Sequence, residues 1–501
     1  MRATANLGCA LAEAGAATAL IDLGGEAGPR TWSYAEIERQ SDALARSLLA
    51  RGLARGERVA ILGANRAEYL IAFFGILRVG LVAVPVNHKL PAATVAFVLE
   101  DCDARLAICD VARRALVPDW LPCLELPNDW PAPTDNEAFA AIVPAPNEPA
   151  MFLYTSGSTG RPKGVVLSHR SHLWVLEMRT VAPEPPGRRI LVAAPLYHMN
   201  ALATCQAALA NAHAVVLLPS FTPASFIDAA ARYRVHALTG VPTMLAMVLR
   251  ERQLLAQADL SSVDAIRVGS APLSSALIEQ MRAAFPRAEL TNGYGTTEAG
   301  PIVFGPHPDG LQRPPLSVGA AHPLVDLRHR RDGRIVADEG VLEMRCPALM
   351  NGYHKRPDLT RQAMTDDGYY MTGDVFRRDA EGFFFFVGRA DDMFVCGGEN
   401  IYPREVETML EAHPAIAQAV VVPVPDEMKG YKPVAFVMLR ARDGDAARSA
   451  ISEDDIRAFA LANAPAYAHP RRVWFLDELP LAGTNKIDRR RLSELALESV
   501  R

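Results

Sequence analysis

The stretch TSGSTGRPKG (155–164) holds three glycines, four side-chain hydroxyls and one lysine in ten residues, a composition suited to gripping phosphate. Glycines let consecutive backbone N–H groups converge on an anion. Thr155, Ser156, Ser158 and Thr159 add hydroxyl donors around Gly157, Gly160 and Lys163. The order departs from G-x-x-x-x-G-K-[ST], because Pro162 precedes the lysine and Gly164 follows it. Apolar runs on either side, AMFLY (150–154) and GVVLSH (164–169), predict a strand-to-strand connection rather than a helix N-terminus. A polar surface turn has the same composition, so the loop alone names neither the phosphate nor the reaction.

Four further stretches bear on both. NGYGTTEAG (292–300) sets Tyr294, a flat apolar face for a base, beside the hydroxyls of Thr296 and Thr297 and the carboxylate of Glu298. Such a carboxylate can hold a hard cation such as Mg²⁺ next to phosphate. YYMTGD (369–374) ends in Asp374, placed to accept from a ribose hydroxyl. GRADDMFVCGGEN (388–400) joins Arg389 and paired acids to a Gly-Gly loop, and PLAGTNKIDRR (480–490) presents the single lysine Lys486 in a turn.

The elements that must position these groups alternate. Between Thr31 and about Asp110 the helical pattern 34–52 is followed by short apolar strands at 58–63, 81–86 and 105–110. The rhythm returns after the hydroxyl loop, with strands at 189–196, 214–219, 235–242 and 265–273 and helices near 223–233 and 243–254. Alternation implies largely parallel sheets covered by helices, here two α/β layers in sequence. From about Gly305 to Arg389, short strands broken by Gly, Pro and Asp-Gly turns indicate a small β-rich subdomain. The remainder alternates on a smaller scale, and GRADD (388–392) is the natural joint. The expected fold is therefore α/β: a large N-terminal domain, 1–390, of two layered α/β subdomains plus a small β-rich subdomain, then a small mobile α+β C-terminal domain, 391–501.

Composition narrows the function classes. With 52 basic and 57 acidic residues the net charge is −5, which supplies no electrostatic drive toward nucleic acid or anionic lipid. Seven cysteines without a C-x-x-C pair suit reduced thiols in the cytoplasm. Glu13 and Asp22 interrupt the Ala-rich start, against a signal peptide. The apolar run 69–86 contains Arg78 and two glycines, and reads as a buried helix and strand rather than a membrane span. The chain is compatible with a homo-oligomer.

In this order and over this span, the motifs resemble the adenylate-forming (AMP-binding) superfamily: acyl-CoA synthetases, including 4-chlorobenzoate and fatty-acid CoA ligases, firefly luciferase and peptide-synthetase adenylation domains. The resemblance runs from TWSYAEI (31–37) through PLYH (195–198) and GYHKRPDLT (352–360) to Lys486. It implies that a carboxylic acid attacks the α-phosphorus of ATP with Mg²⁺, releasing pyrophosphate, and that the acyl-adenylate then passes its acyl group to coenzyme A. It also implies roles: the hydroxyl loop with Lys163 on the β- and γ-phosphates, Tyr294 on adenine with Gly269, Ser270 and Ala271 along its edge, and Asn292, Gly293 and Gly295 around it. Asp374 and Arg389 would bind ribose, Thr297 the α-phosphate, Glu298 the Mg²⁺, and Lys486 would bridge the carboxylate and the α-phosphate. Asp391 would be the hinge of a swing that withdraws Lys486 and brings up Gly397, Gly398 and Glu399 for the thioester step. Asn485, where the family usually has glycine, leaves the turn around Lys486 less defined.

By the same resemblance the acyl pocket draws on Tyr197, Met199, Asn200, Ala201, Gly240, Val241 and Gly300, with His198 as a gate beside the reacting group. Small apolar residues, and no arginine among these segments to pair a second carboxylate, point to a medium-chain or aromatic hydrophobic acid rather than a dicarboxylate such as malonate. The lack of an appended carrier domain favours free coenzyme A. The alternatives are a stand-alone enzyme loading a carrier-protein thiol and a non-catalytic ATP or acyl-adenylate binder.

Overall fold

The structure is a computed structural model and describes residues 4–25, 28–132, 139–156, 161–179, 186–271, 273–396, 398–440, 451–482 and 486–500. Its strands form four sheets. The first contains Arg58–Leu62, Val82–Pro85, Ala104–Asp110 and Cys123–Leu126 in parallel, continued by the antiparallel hairpin Pro149–Ser156 and Pro162–Ser168. The second contains Arg189–Val192, Ala214–Leu217, Ala237–Gly240, Ala265–Gly269 and Glu289–Gly293. Its strand ends deliver the segments that reach the candidate site.

The two α/β layers are not sequential, as the alternation implied. Thr18–Asp22, near the start of the chain, pairs in parallel with Ala214–Leu217 and so belongs to the second sheet, with Arg30–Ser33 beside it. Gly352–Tyr353 returns from far downstream to the edge of the first, pairing with Val165 and Val166. These long-range pairings leave no local mark in the sequence.

The apolar run 69–86 is a helix, Ala67–Arg78, and a strand, Val82–Pro85. Every residue of that helix except Glu68 is buried, as an all-round apolar helix requires. Arg78 is tolerated there because it meets Asp42 and Glu38, each at 2.5 Å, so the buried charge is paired. Asp22 accepts from Ala67 N–H at 2.8 Å and thereby ties the second sheet to this helix. Asn65 makes a second tie: its amide donates to the carbonyls of Ala194 (2.9 Å) and Leu218 (3.1 Å), and its oxygen accepts from Leu196 N–H (2.9 Å). A buried amide with this many partners fixes the segment that ends in His198.

The third sheet is antiparallel and runs from Phe304–Gly305 to Phe383–Arg389, matching the expected β-rich region. Across it, Asp374 and Arg389 stand opposite each other in register. The fourth sheet is built from Phe394–Cys396, Glu399–Ile401, Ile416–Asp426, Gly430–Leu439 and Val473–Phe475. Helix Pro403–Glu411 packs on it, and Arg404 from that helix donates to the Leu273 carbonyl at 3.1 Å, linking it to the second sheet's region.

Candidate active site

One cavity of about 2190 Å³ lies where these sheets meet. Thr155, Lys163, His198, Gly269, Tyr294, Glu298, Asp374, Arg389 and Lys486, separated by hundreds of residues in sequence, all line it. The hydroxyl loop is a hairpin connection as expected: Thr155 pairs with Lys163 and Ser156 with Pro162 across its two strands. Gly157, Ser158, Thr159 and Gly160 fall outside the described residues, as does the Ser156 side chain. Thr155 Oγ1 is buried on the cavity wall and has no hydrogen-bond partner among the described residues.

Lys163 donates from Nζ to Tyr353 Oη at 2.8 Å, and Tyr353 Oη donates to Glu298 Oε1 at 2.8 Å, with Lys163 Nζ 3.7 Å from that same oxygen. Tyr353 was not anticipated from sequence. It comes from the short edge strand, and only the pairing of Gly352–Tyr353 with the first sheet brings its hydroxyl here. Burial beside Glu298 raises its pKa, so it stays a donor.

The turn bearing Glu298 is closed by Thr296 N–H donating to the Gly300 carbonyl (3.2 Å) and Ala299 N–H donating to Thr296 Oγ1 (3.0 Å). Gly295 cannot be replaced without moving backbone, since a Cβ there would lie 2.5 Å from Pro301 Cα.

On the opposite side, Tyr294 Oη donates to Asp374 Oδ2 at 2.5 Å and its ring packs edge-on to Phe376, centroids 4.8 Å apart. Asp374 also receives Arg389 Nη1 at 3.2 Å, and Arg389 in turn grips Asp391 through Nε at 2.7 Å. Burial raises the Asp374 pKa against the pull of Tyr294 and Arg389. Gly269 and Gly293 stand side by side in register on adjacent strands, and a Cβ on Gly269 would meet the Gly293 carbonyl at 2.8 Å. Ser270 follows with φ +66, a conformation costly for a side chain and held where the backbone bends round the cavity rim. Ala271, Asn292, Gly295, Thr296 and Thr297 complete this wall.

Lys486 enters from a turn closed by Ala482 N–H donating to its carbonyl at 2.7 Å and by the bridge between Leu481 and Ile487. Its side chain keeps accessible surface and lines the cavity, where desolvation by neighbouring protein lowers its pKa while Asp374 pulls it back up. The expected effect of Asn485 concerns a position outside the described residues. His198 caps helix Met199–Ala210, and burial with Lys486 nearby lowers its pKa to about 4, leaving a neutral ring whose Nε2 is unpartnered.

The expected acyl-pocket residues divide. Met199, Asn200 and Val241 line the cavity; Tyr197, Ala201, Gly240 and Gly300 are not on its wall. Tyr197 packs edge-on against His88 and His198, while Ala201 faces the core. Gly300 takes φ +79 to bring the chain against Ala348 and Val175. The named segments hold no arginine, but the wider cavity wall includes Arg179, from the end of helix His169–Arg179. The Gly-Gly loop lies elsewhere. Gly398, at φ +91, and Glu399 form an exposed hairpin off the cavity, and Gly397 is outside the described residues.

Residues 10–354 match the model of the AMP-binding enzyme family, and residues 405–486 match the AMP-binding enzyme C-terminal domain. This chain belongs to the AMP-binding enzyme family. It is 32% identical over 483 residues to a sulfoacetate–CoA ligase of Cupriavidus necator, covering 92% of each chain. It is 33% identical over 465 residues to a feruloyl-CoA synthase of an Amycolatopsis species, covering 91% of this chain and 92% of that one. Among solved structures it resembles the anthranilate CoA ligase AuaEII in complex with anthranoyl-AMP, with TM-score 0.88 and 25% identity over 100% of this chain and 99% of that one. Its mixed α/β architecture, with a large N-terminal and a small C-terminal domain, is that of the adenylate-forming enzymes. Among the described residues no helix is long and apolar enough to cross a membrane.

Proposed function

We propose that this family member is an ATP-dependent, AMP-forming carboxylic acid:coenzyme A ligase working in two half-reactions at one cavity. The observation that carries the reading is that Lys486, Asp374, Glu298 and His198, far apart in sequence, line one cavity, with Lys486 close enough to Asp374 and His198 to act on their charge. In the first half-reaction a carboxylate oxygen attacks the α-phosphorus of ATP, and the bond to the β-phosphate breaks to release pyrophosphate. Two anions must meet, so the requirement is fixed positive charge in a site poor in water. Lys486 provides it at the attacking carboxylate and Lys163 at the departing phosphates, with Thr155 Oγ1 as a donor still without a partner. The ionised carboxylate is its own nucleophile at neutral pH, so no general base is needed.

Asp374, with Arg389 and Tyr294, presents acceptor and donor groups suited to ribose hydroxyls, and the paired glycines 269 and 293 leave room for a flat base. A single buried carboxylate beside hydroxyls fits Mg²⁺, which commonly takes one or two protein carboxylates and completes its shell with water and phosphate. Glu298 is that carboxylate, held on one oxygen by Tyr353, and Mg²⁺ bound there would neutralise phosphate charge.

The second half-reaction joins the thiol sulfur of coenzyme A to the acyl carbon and expels AMP. Gly398 and Glu399 are not on the wall of this cavity while Lys486 is, so the reading requires the segment after Asp391 to rotate between steps. We place the domain joint at Asp391 on that ground, with 1–390 and 391–501 as the moving parts.

The acids named for the relatives, sulfoacetate and ferulate, differ in size and charge, so the acid is argued from this cavity's own wall. Met199, Val241, Met178 and Ala208 offer an apolar channel suited to a medium-chain or aromatic skeleton. Pyrophosphate release with ATP and Mg²⁺ across aliphatic, aromatic, dicarboxylic and amino acids, with and without coenzyme A, tests this. Multiple turnovers only with coenzyme A are expected; release that coenzyme A cannot accelerate favours a carrier-protein thiol, and silence with every acid favours a binder.

A further inference from the structure

Helix Met199–Ala210 begins at His198, beside the reacting end of the cavity, and forms part of the cavity wall. Met199, Asn200, Thr204, Ala207 and Ala208, which recur at helical spacing, face the cavity. Arg179 meets this wall partway along. Its Nη1 donates to the Ala203 carbonyl at 3.2 Å, and Ala203 is five residues past His198, or about 7 Å at the helical rise.

The guanidinium is poorly provided for. Its Nε is buried without a hydrogen-bond partner, and among the described residues no carboxylate pairs with it. The neighbouring charge is a second cation, Arg267, on the same cavity. Arg179 is half-buried and lines the cavity, and burial with Arg267 nearby lowers its pKa to about 9. Next to Ala203, Thr204 is 6% exposed, also lines the cavity and keeps its Oγ1 without a partner. A buried guanidinium nitrogen and a buried hydroxyl, both without partners among the described residues, are costly unless a ligand completes them. Such groups are a common mark of a ligand site.

We propose that the acid activated here carries a second anionic oxygen group, carboxylate or sulfonate, remote from its reacting carboxyl, and that Arg179 binds this group with Thr204 assisting. The separation along the helix requires several bonds between the two acid groups, so a malonate-length diacid is too short. An apolar skeleton still occupies the wall between them. This inference rests on the ligase reading above and names its substrate class.

The test compares matched acids in the full-length protein: hexanoate with adipate, and 4-methylbenzoate with terephthalate and 4-sulfobenzoate. Pyrophosphate release is followed with ATP and Mg²⁺ for the native chain, Arg179→Met and Arg179→Lys, each checked for fold by circular dichroism. At least one anionic-ended acid should exceed its neutral partner in kcat/KM by about a hundredfold or more in the native chain, since a site built for a polar group rejects the analogue lacking it. That ratio should collapse in Arg179→Met, chiefly through KM, and recover in part in Arg179→Lys. The carboxylate and sulfonate arms identify which group is bound. A native preference for the neutral-ended acids, or a ratio unmoved by Arg179→Met, overturns the proposal. If no acid releases pyrophosphate, the ligase reading fails, and calorimetric binding of adipate and terephthalate to the ATP-loaded protein decides the anion site alone. Binding weakened at least tenfold in Arg179→Met supports the site, and equal binding overturns it.

Discussion

The wall of the cavity and the segment that carries Lys486 hold their functional groups in opposite ways. On the wall, Tyr294, Asp374 and Arg389 form one hydrogen-bonded chain, and Lys163, Tyr353 and Glu298 form another, with partners drawn from different sheets. Lys486 has no such support among the described residues: its turn is closed through backbone alone, and its ammonium faces the cavity without a side-chain hydrogen bond. Among the described residues, the C-terminal part that carries Lys486 meets the second sheet's region through contacts such as Arg404 to the Leu273 carbonyl and Arg250 to Met438 Sδ. Groups needed throughout the proposed cycle are locked in place, whereas the group needed for one half of it is merely presented. Rigid support suits electrostatic preorganisation, and a lightly tied cation suits a part that must leave.

The largest effect that could break this contrast comes from the presented group. Lys486→Ala should lower adenylate formation by about a thousandfold, the scale of losing a buried charge contact in a transition state, while thioester formation from a supplied acyl-adenylate changes little. Equal losses in both half-reactions, measured separately, would remove the two-position scheme. Asp391→Pro removes backbone freedom and the Arg389 partner at the proposed joint, and should lower the thioester step by about a hundredfold while adenylate formation falls less than tenfold.

On the locked side, Tyr353→Phe deletes one hydroxyl that links Lys163 to Glu298. A loss of about tenfold in kcat/KM is expected, with a higher Mg²⁺ requirement in a titration of pyrophosphate release. The smallest effect concerns stability. Burial lowers the pKa of His172 to about 3 and of His169 and His198 to about 4, so the native state resists protonating them. Their folded pKa values lie below the unfolded value, so they favour folding above about pH 6.5 and that support is lost as pH falls toward 3. Tm measured between pH 7.5 and 4.5 should decline on the acid side, less steeply in His172→Gln.

Much of this site can be read locally. The hydroxyl loop, Glu298, Asp374, Arg389 and Lys486 each sit in a short motif whose residue types suit one task, and the hairpin around the loop follows from its two apolar flanks. Asn65, Tyr353 and Arg179 could not be read that way. Each acts through partners more than twenty residues away: Ala194, Leu196 and Leu218 for Asn65, Lys163 for Tyr353, and Ala203 for Arg179. Of the expected acyl-pocket residues, Met199, Asn200 and Val241 line the cavity while Tyr197, Ala201, Gly240 and Gly300 do not, because a motif marks a neighbourhood and side-chain direction depends on the helix or turn that carries it.

By itself the sequence determined the chemistry available, the order of strands and helices, and the β-rich interval followed by a smaller α+β region. These depend on residue type and on hydrophobic period, which are local quantities. Only the tertiary structure decided that the first strand joins the second sheet, that Tyr353 reaches Glu298, and that Arg179 lines a cavity with no carboxylate partner among the described residues. The physical reason is that pairing between distant strands and the burial of a charge depend on what arrives from elsewhere in the chain. Until those partners are in place, a lone arginine at a helix end is indistinguishable from a solvated one.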